Sequence, residues 1–139
     1  MTYQNINPPS VSAIAGIEFQ HKIPELINLN YDLSKLKLIL CFEQNQQIEV
    51  IFKNVIGFRV LDEGDLLEFW DPKVRAAGWI WKVESGGWFD LEKTRTGFLT
   101  GYQQDLYPGE YLVLGINDCV NIFSVSEPEF IYHVIEPTE

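Results

Sequence analysis

After Arg95 the chain has no lysine or arginine, while seven acidic residues fall between Thr96 and Glu139. That last third carries −7 of a net −10, leaving −3 for everything before it. Such a field repels nucleic acid and anionic membrane and speeds encounter with a basic protein. Solubility alone is an equally good reason for it. Histidine and cysteine are scarce too, with His21 and His133, Cys41 and Cys119, and Met1 is the single methionine. No GxSxG, CxxC, HExxH, phosphate loop or GxGxxG occurs, so no recognisable nucleophile elbow, metal site or nucleotide cradle is present. No apolar run reaches the length of a membrane span, and the N-terminus has neither a basic start nor an apolar signal core. A soluble cytoplasmic protein without cofactor or metal is expected. The two cysteines lie far apart inside apolar patterns and are expected as buried free thiols.

What is present is strand-like. In Ile48–Leu61, IEVIFKNVIGFRVL, Ile48, Val50, Phe52, Ile56, Phe58 and Val60 take one face and Glu49, Lys53, Gly57 and Arg59 the other. Asn54 interrupts the apolar face, which predicts a bend or a division into two strands there. Leu36, Leu38, Leu40 and Phe42 alternate in the same way, and the short polar link to Ile48 predicts an antiparallel hairpin whose even-numbered residues share one core. Trp79, Trp81 and Val83 read as one face of a further strand that stops at Ser85-Gly86-Gly87. YLVLGI (111–116) and CVNIFSV (119–125) form a second hairpin, and Phe130–Ile135 a closing strand.

Helix signals are short. Pro24 opens one over 24–30, Asp71-Pro72 one over 72–77 with Gly78 closing it, and Trp88 with Leu91 one near 88–94. Phe98–Pro108 reads as a loop. Residues 1–16, with Pro8-Pro9 and no period, read as a flexible N-terminal arm, and residues 17–139 as one domain. At 139 residues, 46% hydrophobic and 14% aromatic, the chain is a packed single domain rather than a disordered one. The fold class is mainly β: a single antiparallel β domain, sandwich or open barrel, with two or three short helices.

Candidate chemistry is sparse. Cys119 with His133 and Asp118 is the best nucleophile arrangement, but a cysteine inside a hairpin's apolar pattern is ordinarily core. Asp62, Glu63 and Asp65 lack the spacing of a calcium loop and read as a solvated turn. The aromatics are more informative, because Trp70, Trp79, Trp81, Trp88 and Phe89 fall within twenty residues among charged ones. Besides core packing, they suit an anchor for a protein interface or a stacking platform for a flat ligand such as a sugar. For protein binding, the residues expected to act are Asp62, Glu63, Asp65, Glu68, Trp70, Trp88, Asp90, Asp105 and Asp118. The carboxylates would supply steering and charge pairing, and the aromatics burial. The alternative is a small-molecule or carbohydrate-binding module built on Trp79, Trp81 and Trp88. The closing strand could pair with a second copy, but Glu127, Glu129 and Glu136 around it protect the edge, so a monomer or weak homodimer is expected.

Three segments together resemble small bacterial proteins of immunity-protein type. The first is an F-x-N-V-x-x-F-R-V-x-D-E strand, here Phe52, Asn54, Val55, Phe58, Arg59, Val60, Asp62 and Glu63. The second is a K-V-E-S segment leading to an aromatic pair, here Lys82, Val83, Glu84, Ser85, Trp88 and Phe89. The third is an N-D-x-x-x-I-x-S strand, here Asn117, Asp118, Ile122 and Ser124. The resemblance spans about half the chain, and the first 30 residues and the Trp-rich centre depart from it. It implies a cytosolic, non-catalytic, mainly β domain that neutralises a toxin.

Overall fold

A computed structural model describes residues 9–14, 22–43, 45–62, 78–95, 97 and 109–134. The clearest alternation builds the clearest hairpin. Strands β3 (Lys35–Phe42) and β4 (Gln46–Lys53) pair antiparallel with Leu36 opposite Phe52 and Leu38 opposite Val50. Leu36, Leu38, Leu40, Phe42, Ile48, Val50 and Phe52 are all buried in one core, as their parity predicts. On one side of this hairpin runs β2 (Glu25–Tyr31) and on the other β9 (Glu129–Val134), giving a four-stranded sheet ordered β2-β3-β4-β9.

At Asn54 the chain leaves this sheet. Its φ of 56° lies in the left-handed region, where Asn is tolerated better than most side chains, and β5 (Val55–Asp62) continues into a second sheet. The bend expected at Asn54 is therefore the corner of a sandwich. The return crossing after β8 (Asp118–Ser124) is tied to the same corner. Val125 N–H donates to the Asn54 carbonyl at 3.2 Å, Asn54 Nδ2 donates to Ser126 Oγ at 3.0 Å, and the buried Ser124 hydroxyl donates to the Lys53 carbonyl at 2.8 Å. The second sheet has five strands ordered β1-β6-β7-β8-β5, all neighbours antiparallel, with β1 Ser10–Ala13, β6 Ile80–Ser85 and β7 Gly109–Leu114. Among the described residues there is one helix, α1 (Trp88–Glu92).

Tyr111, Val113, Val120, Ile122 and Ile80 face the four-stranded sheet and close the main core. The alternate residues Trp81, Val83, Leu112, Leu114 and Cys119 form a second buried cluster on the opposite face of the five-stranded sheet. The architecture is thus a β-sandwich in which the strands β7 and β8 of one sheet are buried on both faces.

Several expectations change. Residues 24–30 are a strand, not a helix. Leu26 pairs with Leu40, Leu29 pairs with Leu38, and the register slips between Leu26 and Asn28. Ile27 is the inserted residue, and the bulge turns a two-residue alternation into an i, i+1, i+3 pattern that imitates a helix. The helix near 88–94 is present and shorter, and 72–77 lies outside the described residues, as does the expected loop Phe98–Pro108. Within the expected N-terminal arm, Ser10–Ala13 is an edge strand on β6, its small polar residues too few to show a period. Trp79 and Trp81 do not share a face. Trp79 lies before β6 begins and belongs to the main core, with ring centroids 5.4 Å from Phe42 and 6.1 Å from Phe130, while Trp81 belongs to the second cluster. Strand alternation does not extend past the strand's first residue.

Candidate partner-binding site

The β6–α1 turn shows how the outer face of the five-stranded sheet is organised. Gly86 takes a φ of 76° that other side chains resist, and a Cβ on Gly87 would collide with the Glu110 carboxylate and Val83. The two glycines therefore let α1 begin against the sheet. Glu110 in β7 then accepts from the first helical amides, Trp88 N–H at 2.9 Å and Phe89 N–H at 2.7 Å. With only 5% of its surface exposed, Glu110 is raised above the ordinary carboxylate range by burial, against which these two amides and the Arg59 charge pull downwards. Asp90 closes the same turn. The Gly86 N–H donates to it at 2.6 Å and holds its carboxyl below the usual value, with Lys93 at 3.1 Å adding to the effect.

Above the sheet, Trp88 stacks on Phe123 at 4.1 Å and 22°, and Phe89 meets the same ring edge-on at 5.4 Å. Arg59 lies over Trp88 with its guanidinium 5.0 Å from the ring and donates through Nε to Asn121 Oδ1 at 3.0 Å. Trp88 Nε1 donates to Glu92 at 3.0 Å. Trp88 and Asp90 were expected to meet a partner. Both are half-buried and also bonded within the protein, as parts of a polar cluster with Arg59, Glu110 and Asn121 that sequence reasoning missed. Its signal was present: Glu110 and Asn121 are polar residues inside otherwise apolar strand runs, which fold only when those groups find partners.

Asp62 and Asp118 are two of the carboxylates expected to meet a partner, and the β5–β8 register makes them direct cross-strand neighbours, both exposed. By strand parity they project from the opposite face to Arg59 and Trp88, at the end of the sandwich. The β7–β8 turn meets the start of β2 at this end. Ile116 N–H donates to the Pro24 carbonyl at 2.9 Å, which brings together two loops carrying exposed isoleucines, Ile23 at 57% and Ile116 at 54%. Glu25 is exposed beside them. The tip is thus apolar with carboxylates around it, the arrangement of a protein-binding patch with a polar rim. Glu63, Asp65, Glu68, Trp70 and Asp105 lie outside the described residues.

The Trp79, Trp81 and Trp88 platform is not assembled, since the first two are fully buried on opposite sides of one sheet. A shallow cleft of about 300 Å³ opens where β1 meets Lys82, Tyr111, Glu127 and Pro128, and no tryptophan lines it. Burial, then the Glu127 and Glu84 charges, push the Tyr111 hydroxyl up, so it stays protonated there. Cys119 and His133 stand in different sheets and form no dyad. Neither Cys41 nor Cys119 forms a disulfide among the described residues. Among the described residues no group of three or more His, Cys, Asp or Glu is placed to hold a metal, and no helix is long and apolar enough to cross a membrane. No family model, curated protein or solved structure matches the chain.

Proposed function

We propose that this chain is a non-enzymatic protein-binding domain whose acidic tip receives a basic protein surface, in the manner of an immunity protein neutralising a toxin domain. The observation that carries the reading is the tip itself, where Asp62 and Asp118 stand side by side next to the exposed Ile23 and Ile116. A basic partner would be attracted to these exposed carboxylates, and the isoleucines would supply the buried centre of the contact. The base-free last third adds long-range steering towards the same partner. Trp88 contributes indirectly, by fixing the outer face of the sheet that carries β5 and β8.

Affinity co-purification of the tagged protein from its own cells, at low and at raised salt with bound proteins identified by mass spectrometry, tests this directly. One basic partner, retained at low salt and released progressively as salt rises, is the expected outcome. Absence of any stoichiometric partner at either salt contradicts it.

A further inference from the structure

The four strands at the sheet edges are not alike. β1, β2 and β5 each carry a register shift, between Ser10 and Val11, Leu26 and Asn28, and Val55 and Gly57. Such bulges twist an edge away from further pairing. β9 has none: its six residues pair with β4 in unbroken register from Gln46–Val134 to Ile51–Glu129, and among the described residues no strand lies on its other side. It is also the most apolar edge in solvent, with Ile131 at 42%, Tyr132 at 40% and Val134 at 74% exposed. A regular, exposed, apolar edge is a template for another strand.

The sequence of β9 selects the occupant. Antiparallel pairing of Glu129–Val134 with a second copy about a two-fold axis through Ile131 places Ile131 on Ile131, Phe130 on Tyr132 and Glu129 on His133. Ile131, Phe130 and Tyr132 then meet apolar partners, Val134 falls beyond the paired residues, and the acidic residue meets the only residue of the strand able to carry positive charge. The parity also matches, because residues 129, 131 and 133 keep the outward side of the sheet in both copies. One of the charges expected to protect this edge, Glu129, does so weakly. Glu129 is already offset by Lys53 at 3.1 Å, and His133 lies 3.7 Å from Glu49 on the same face.

We infer that β9 joins two copies of this chain edge to edge, making one continuous eight-stranded sheet from two four-stranded ones. The contact belongs to the other sheet from Asp62 and Asp118, and it stands or falls independently of the proposed partner. Five paired residues a side bury less than the roughly 1,200 Å² of a standard interface, so the dimer is weak and concentration-dependent.

Sedimentation velocity of the full chain across a concentration series tests the pairing. Dimer forming with concentration is expected, and Ile131→Lys, which sets two lysines against each other at the axis, should weaken it at least about tenfold while far-UV circular dichroism stays native. Ile131→Cys in a Cys41→Ser background should form an intermolecular disulfide under mild oxidation, because cross-strand Cα atoms at about 4.5–5.5 Å suit that bond. A chain that stays monomeric at every concentration overturns the inference, even if the edge captures an extended peptide from another protein. So does a dimer that ignores Ile131→Lys and fails to cross-link through residue 131.

Discussion

Leu112 in β7 and Ile39 in β3 both point away from the space between the sheets, yet Leu112 is fully buried and Ile39 only half-buried. The difference runs along whole strands. β7 and β8 are buried at almost every residue, while β3 and β4 alternate buried with half-buried. A strand covered on one face needs apolar residues at every second position; a strand covered on both needs them at nearly all. The chain writes the two kinds differently, as LKLILCF and QIEVIFK in one sheet against YLVL and CVNIF in the other. The doubly buried strands β7 and β8 are where the protein places Glu110 and Asn121, and where it can hold a surface feature at a strand end in fixed geometry.

Truncation breaks this contrast most directly. Leu112→Ala is expected to cost about 2–5 kcal/mol, as much as Leu38→Ala in the main core, whereas Ile39→Ala costs about 1 kcal/mol. Urea denaturation of the three variants decides it. Equal and small effects for Leu112 and Ile39 would mean that the second cluster is not a core.

Glu110 sharpens the same contrast. Glu110→Ala leaves the Trp88 and Phe89 amides buried without their acceptor, at about 1–3 kcal/mol. Glu110→Gln isolates the charge. A carboxyl raised in the folded state above its ordinary 4.5 stabilises fully below that value, and this contribution is lost as pH rises through the folded value. The wild type should therefore lose stability relative to Glu110→Gln between pH 4.5 and neutrality, read from denaturation curves at both ends.

Arg59→Ala removes the contact over Trp88 and the bond to Asn121, at about 1 kcal/mol each. Trp88 fluorescence should change with it.

Much of the fold was legible because alternation is a local signal. The Leu36–Phe42 and Ile48–Lys53 hairpin, the division at Asn54 and the β7–β8 hairpin follow directly from residue spacing. The β2 bulge was not legible, since Ile27 disguises a strand as a helical stretch, nor was β1, which has four residues and no period. For the site, the pairing of Asp62 with Asp118 required the β5–β8 register, which no local pattern specifies. The internal contacts of Trp88 were not legible for a related reason: Phe123, Arg59 and Glu110 reach it from three different strands.

The measurement that bears most directly on the account compares two charge-neutralised proteins in the co-purification. One carries Asp62→Asn and Asp118→Asn at the tip, the other Glu49→Gln and Glu129→Gln on the outer face of the four-stranded sheet, so each loses two charges. Loss of the basic partner by the first and its retention by the second is the predicted result. Retention by both would show that Asp62 and Asp118 do not hold the partner, and equal loss by both that only net charge matters.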